Sequence, residues 1–157
     1  MTTITAKIQL YVNESQAESL RLTSKTYQKA CNWLSEKVVV SKNLNQLQLN
    51  NLYYKELRQR FGLKSQMAQS VMKTVIASYK SAQSNGHEWS LVHYKHPSYD
   101  VVWNRDYSLN ERLFSVNTLA GRIKLPFELK GMQKYFNDDW KFGTAKLVYK
   151  FNKWFLH

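Results

Sequence analysis

The chain has 157 residues, 43% of them hydrophobic, enough for one ordinary domain or two small ones with a real core; this excludes a wholly disordered polypeptide. Lys and Arg number 23 against 11 Asp and Glu, and the resulting net charge of +12 favours a polyanionic partner, nucleic acid or an acidic membrane surface. The single cysteine, Cys31, excludes an intramolecular disulfide and fits a reducing compartment; the opening MTTITAKIQLYV lacks the apolar run of a signal peptide, and no stretch of about 20 apolar residues offers a membrane span.

Residues 3–12 alternate strictly, with Ile4, Ala6, Ile8, Leu10 and Val12 on one face and Thr5, Lys7, Gln9 and Tyr11 on the other, the period of a half-buried strand. Asn13 followed by Gln16 offers a capping box. Ala17, Leu20, Tyr27, Cys31, Leu34 and Val38 then recur at three-to-four spacing and predict a long helix over 14–40, with Cys31 as a small core hydrophobe. After the polar SKNLNQ a second helix is predicted near 50–61, stopped by Gly62, and a third over 64–81, capped by Ser65. In the third, Met67, Ala68, Val71, Met72, Val75, Ile76 and Tyr79 form one apolar stripe. The opposite arc holds Gln66, Gln69, Lys73 and Lys80 around Ala77, without a carboxylate.

From about residue 88 the period changes to two, in EWSLVHY, DVVW, RLFSVNT, GRIKLPF, TAKLVYKF and KWFLH. A lone first strand needs partners, so it most economically joins this later sheet, making the helices an insertion. The expected fold class is α+β: a small antiparallel β-barrel of the oligonucleotide-binding kind built from residues 1–12 and 88–157, with a helical bundle inserted over 13–87. The last hairpin is still running at His157, which reads as a domain cut from something longer or a shortened remnant.

The acids are too few and scattered for two-metal phosphodiester chemistry. Asp138 and Asp139 in NDDWKFG read as turn residues, and His93 and His96 in HYKH lack a second Cys/His pair for zinc. The five glycines stand singly, so no phosphate loop of Walker or Rossmann type is present. No enzyme activity, metal or cofactor is expected. Binding chemistry remains, since glutamine amides can pair bidentately with adenine and lysines attract phosphate. On that ground Gln66, Gln69, Lys73 and Lys80 are candidate contacts. Aromatics and cations interleave at Tyr94-Lys95-His96, Trp103-Asn104-Arg105, Trp140-Lys141-Phe142 and Lys153-Trp154, the mixture used on RNA and single strands. Most of those rings are expected in the core, leaving cations such as Arg105 as the better candidates. Lys146 and Lys150 share one strand face with Val148, and Arg122 and Lys124 share one in GRIKLP.

The order LYVN, ESQAESL, SQMAQSVMKTVIASYKS, GRIKLPF and KLVYKFNKWFLH resembles the N-terminal half of TnpB proteins, the transposon-encoded RNA-guided DNA nucleases related to type V CRISPR effectors. The resemblance spans nearly the whole chain; one departure is Val12 where the family commonly has proline. It implies a wedge β-barrel split by a helical recognition lobe, without the RuvC domain that carries the catalytic carboxylates and the zinc ribbon. It implies that the helical lobe reads a short motif beside the target, with Gln69 first, then Gln66 and Lys73, and Tyr53 as a weaker base or sugar contact. It also implies that the barrel grips guide RNA scaffold and nearby duplex DNA, with Arg122, Lys124, Lys146 and Lys150 on phosphates. The expected setting is the prokaryotic cytoplasm at the nucleoid, with no membrane. Two alternatives stand beside it: a stand-alone remnant that regulates or inhibits a nuclease through protein or RNA binding, and a general basic domain.

Overall fold

The computed structural model describes residues 2–86, 88–110, 112–129, 131, 133–137 and 139–157. Two compact units divide the chain, Met1–Ser24 with Ser98–His157, and Lys25–Pro97. The divisions fall after Ser24 and after Pro97, rather than at 12/13 and 87/88 as the sequence pattern suggests.

The first unit is a seven-stranded antiparallel sheet that curls into a nearly closed barrel. Its strands are β1 (Ile8–Leu10), β2 (Ser98–Val101), β3 (Tyr107–Leu109), β4 (Leu113–Thr118), β5 (Gly121–Glu128), β6 (Ala145–Lys150) and β7 (Lys153–Leu156), in the order β2-β6-β7-β1-β5-β4-β3. Period-two alternation sends Ile8, Leu10, Tyr99, Val101, Phe114, Val116, Leu125, Leu147 and Leu156 to a common interior, where all are buried. Each large side chain so buried stabilises by about 1.5–3 kcal/mol. β1 lies in the middle: Gln9 stands opposite Phe155 of β7 on one side and Glu128 of β5 on the other. The first strand therefore does join the sheet formed after the helices. It is shorter than the 3–12 alternation, because the ladder pairs Ile8–Leu10 with β7 and only Gln9 and Leu10 with β5. β3 has three residues, too few to show a period in the sequence.

A buried carboxyl closes the turn between β2 and β3. Asp106 is fully buried and accepts the Val102 N–H at 2.9 Å. Burial pushes its carboxyl above the usual carboxylate range, against the pull of the Val102 N–H, the Asn117 amide, Arg122 and Arg105. A folded pKa above the unfolded one, about 3.9, contributes stability that is complete below that value and is lost as pH rises through the folded pKa. Asp106→Asn keeps an acceptor for Val102 and is expected to abolish this loss, so that melting temperature against pH is flatter in the variant from about pH 4 upwards. Parallel curves for the two proteins would remove Asp106 as the cause.

Helix α1 (Glu14–Ser41) begins in the barrel unit and ends in the other. Its start is the expected capping box: Gln16 N–H donates to Asn13 Oδ1 at 2.8 Å and Asn13 N–H to Gln16 Oε1 at 3.0 Å. Gln16 Nε2 also donates to the Lys124 carbonyl, and Thr23 Oγ1 accepts the Leu119 N–H, which seats the first turns of α1 on the β4–β5 hairpin.

In the helical unit, residues 25–41 of α1 pack with α2 (Gln46–Phe61) and α3 (Ser65–Ser84). α2 starts at Gln46, earlier than its apolar rhythm predicts, because Asn45 caps it by accepting the Gln48 N–H at 3.0 Å. Gly62 ends it in the left-handed region at φ 65°, as expected. Ser65 does not cap α3: the cap position is Lys64, extended and without a side-chain bond, and Ser65 is the first helical residue. The seven-residue apolar stripe of α3 is buried in full.

The expected strand EWSLVHY does not form. Residues 88–97 are an irregular strap whose backbone groups bond side chains of the helices. Asn32 Oδ1 accepts the Tyr94 N–H at 2.7 Å, while Asn32 Nδ2 and Gln28 Nε2 donate to the Tyr94 carbonyl. Tyr79 Oη accepts the Val92 N–H at 3.1 Å, and Ser35 Oγ donates to the Val92 carbonyl at 2.6 Å. Alternate residues dock, which produces a period of two without a neighbouring strand.

Candidate nucleic-acid interface

On α3 the arc opposite the buried stripe is open. Lys73, Ala77 and Lys80 are exposed, and Gln66 and Gln69 are half-buried beside them. Among the described residues, the side chains of Gln69, Lys73 and Lys80 make no hydrogen bond or ion pair, so their amide and ammonium groups are available. Tyr53 stands on α2 instead, with its ring edge-on to Trp33 of α1 at a centroid distance of 5.7 Å, a packing role that leaves it half-buried. Trp33 also carries Arg60 and Lys37 at 5.3 Å from its ring, a cation–aromatic cluster that spacing along a single helix does not reveal.

On the barrel, all four basic residues expected on phosphates point outward and are exposed. They fall into two groups. Arg122 and Lys124 alternate with Ile123 and Leu125 on β5 and stand opposite Asn117 and Ser115 of β4. Arg122 is occupied: Nε donates to Ser115 Oγ at 2.8 Å and Nη1 to the Arg105 carbonyl at 3.3 Å, so it ties β4 and β5 to the loop before β3. Arg105, exposed in that loop, serves the same tie through its backbone.

Lys146 and Lys150 belong to a larger group. The register pairs Lys150 with Lys153, Val148 with Phe155 and Gln9 with Phe155, placing these side chains on one face of β6, β7 and β1, with the lysines exposed and Gln9, Val148 and Phe155 buried. Lys7, just before β1, holds its ammonium 4.4 Å from the centre of the Phe155 ring. Four lysines therefore share the face around Val148 and Phe155. Asp100 of β2 pairs with Lys146 at 3.6 Å, a half-exposed contact of small energy, and Glu128 on β5 accepts a bond from Tyr11 Oη at 2.5 Å. Burial holds the His157 imidazole below its ordinary pKa, and Lys150 and Lys7 lower it further.

No family model and no curated protein matches this chain.

The interleaved aromatics divide by burial. Trp154 is core. Trp103 packs against Phe142 and Tyr107, and Trp140 lies edge-on to Tyr135. Burial raises the Tyr107 hydroxyl to about 12, and that group donates to the Gly143 carbonyl at 2.7 Å, a structural bond. Tyr94 Oη bonds Ser78 Oγ at 2.8 Å within the strap anchorage. Asp139 takes the turn role expected, its N–H donating to Asn137 Oδ1; Asp138 lies outside the described residues. Cys31 is buried on α1. Among the described residues, no group of three or more His, Cys, Asp or Glu is placed to share a metal ion, and no helix is long and apolar enough to cross a membrane.

Sequence reasoning had two members of the lysine face and missed Lys7 as well as the pairing of Lys153 with Lys150. The signal that finds Lys153 is the two-residue spacing from Lys150, which fixes the hairpin register and brings both onto one face; Lys7 reaches it through the pairing of β1 with β7, which no local spacing announces.

Proposed function

We propose that this chain is the nucleic-acid-binding portion of a TnpB-like RNA-guided DNA nuclease, a wedge barrel and helical lobe without cutting chemistry of its own. The barrel holds guide RNA scaffold and the α3 arc contacts duplex DNA beside the target, in the prokaryotic cytoplasm at the nucleoid. The observation that carries the reading is the barrel face on which, among the described residues, Lys7, Lys146, Lys150 and Lys153 stand with one ion-paired carboxylate, Asp100, and with Glu128, which is taken by the Tyr11 hydroxyl. Folding gains nothing from gathering like charges, whereas a phosphate backbone gains from each of them. The barrel interrupted by helices fits the resemblance, and Gln69 with Lys73 supplies a base-reading amide beside a phosphate-seeking ammonium.

The test is to express the chain with its native flanking DNA, purify it at moderate salt and sequence what accompanies it. A single abundant structured RNA encoded beside its own gene is the expected result. Bulk RNA that washes off in high salt reduces the chain to a general basic domain, and a stoichiometric protein without nucleic acid makes it a regulator of a nuclease. On the preferred duplex, Gln69→Ala is expected to cost about 1–3 kcal/mol of binding and little on a scrambled one. Equal losses on both, measured by fluorescence anisotropy, would deny Gln69 a reading role.

A further inference from the structure

The turn that joins β6 to β7 carries the wrong residue for its shape. Phe151 and Asn152 connect the paired Lys150 and Lys153, and both have positive φ, 52° and 60°. That two-residue turn favours Asn-Gly, because its central residues sit in the left-handed region. Asn152 suits it and is fixed by the Tyr149 hydroxyl, which donates to Asn152 Oδ1 at 3.3 Å. A bulky ring at Phe151 is an outlier there. Packing does not explain it either, since Phe151 is 85% exposed. A residue that suits neither backbone nor core, at the tip of a well-paired hairpin, points to a contact outside the chain.

We propose that the β6–β7 turn is a base-stacking tip: Phe151 stacks on a nucleobase exposed at an end or junction of a polynucleotide, while Lys150 and Lys153 hold the adjoining phosphates. The proposal rests on the nucleic-acid reading above. Charge selects the occupant. A protein pocket that took the ring would have to desolvate an ammonium on each side of it, whereas a base flanked by its own phosphates satisfies the ring and both cations together. Residues 140–157 contain no acidic side chain to oppose this.

The test uses the full chain with forked RNA and forked DNA duplexes carrying 2-aminopurine at the junction, and blunt duplexes of equal length. Wild-type binding is expected to change the junction fluorescence, in the arm whose polynucleotide is the true partner. Phe151→Asn is expected to lose that change and to bind the fork about 5- to 150-fold more weakly. Blunt-duplex affinity and the salt slope should hold, and Phe151→Trp should restore the fork signal. Asn tolerates positive φ, so the melting temperature of Phe151→Asn should stay level or rise by about 2–4 °C. A fall in melting temperature would show that the ring packs on the fold and would overturn the proposal. Fork binding and fluorescence that are the same in wild type and variant would overturn it while leaving the nucleic-acid reading intact. A wild type that binds none of the four probes overturns both. Self-association of the wild type that Phe151→Asn abolishes would assign the tip to a protein contact instead.

Discussion

Tyr79→Ala is expected to destabilise the helical unit by about 3–5 kcal/mol, the cost of emptying a large buried aromatic site. Three elements meet on this side chain. Its ring, 2% exposed, stacks on Trp89 at a centroid distance of 5.5 Å. Its hydroxyl lies 2.7 Å from Ser35 Oγ on α1, donates to the Ser35 carbonyl at 3.1 Å and accepts the Val92 N–H of the strap. Tyr79→Phe separates the two contributions: the ring stays, the Val92 N–H loses its acceptor, and a cost of about 1–3 kcal/mol is expected. Urea unfolding followed through tryptophan fluorescence measures both. A Phe variant as stable as wild type would mean that the strap is held by Asn32, Gln28, Ser35, Ser78 and the stacked ring without the Tyr79 hydroxyl.

The second large effect is on binding. Lys146→Ala with Lys150→Ala is expected to weaken binding to every sequence and to flatten the slope of log affinity against log salt by up to about two; adding Lys7→Ala and Lys153→Ala extends this to about three to four. Lys150 should contribute more than Lys146, whose charge is partly matched by Asp100 at 3.6 Å. Removing the same charge at Lys29 and Lys42, exposed on the helical unit, is the control. An unchanged slope in the barrel variants would take this face out of the interface. Loss confined to one sequence would convert it from a phosphate grip to a reading surface.

Much of this fold was legible because its strongest signals are local. The alternation around Ile8 and Leu10 and the reciprocal Asn13–Gln16 cap lie within a few residues, and each describes a contact made within that span or on one face. Gly62 is equally local, a backbone position that needs positive φ. The misreadings came where the determining contact is distant or the element is short. Val92 and Tyr94 alternate like a strand because Tyr79, Ser35 and Asn32 receive them, and no property of residues 88–94 distinguishes that from pairing with a neighbour. Lys64 occupies a cap position with no capping bond, so the serine beside it was the natural choice. For the site, exposure of Lys146 and Lys150 followed from their strand face, whereas Lys7 arrives there only through the pairing of β1 with β7. Arg122 looked as free as Lys124 in sequence; Ser115 and the Arg105 carbonyl, on other elements, show it engaged.

The central place of β1 imposes an order of events on a chain that emerges from the ribosome N-terminus first. Residues 25–97 are contiguous, so every residue of the helical unit is available once that stretch has been made. β1 is synthesised before any of it, yet its hydrogen-bonding edges are met by residues 127–128 on one side and 154–156 on the other. The earliest strand is thus among the last to be satisfied, and throughout translation of the helices and most of the sheet it remains an unpaired apolar segment of the kind that chaperones retain.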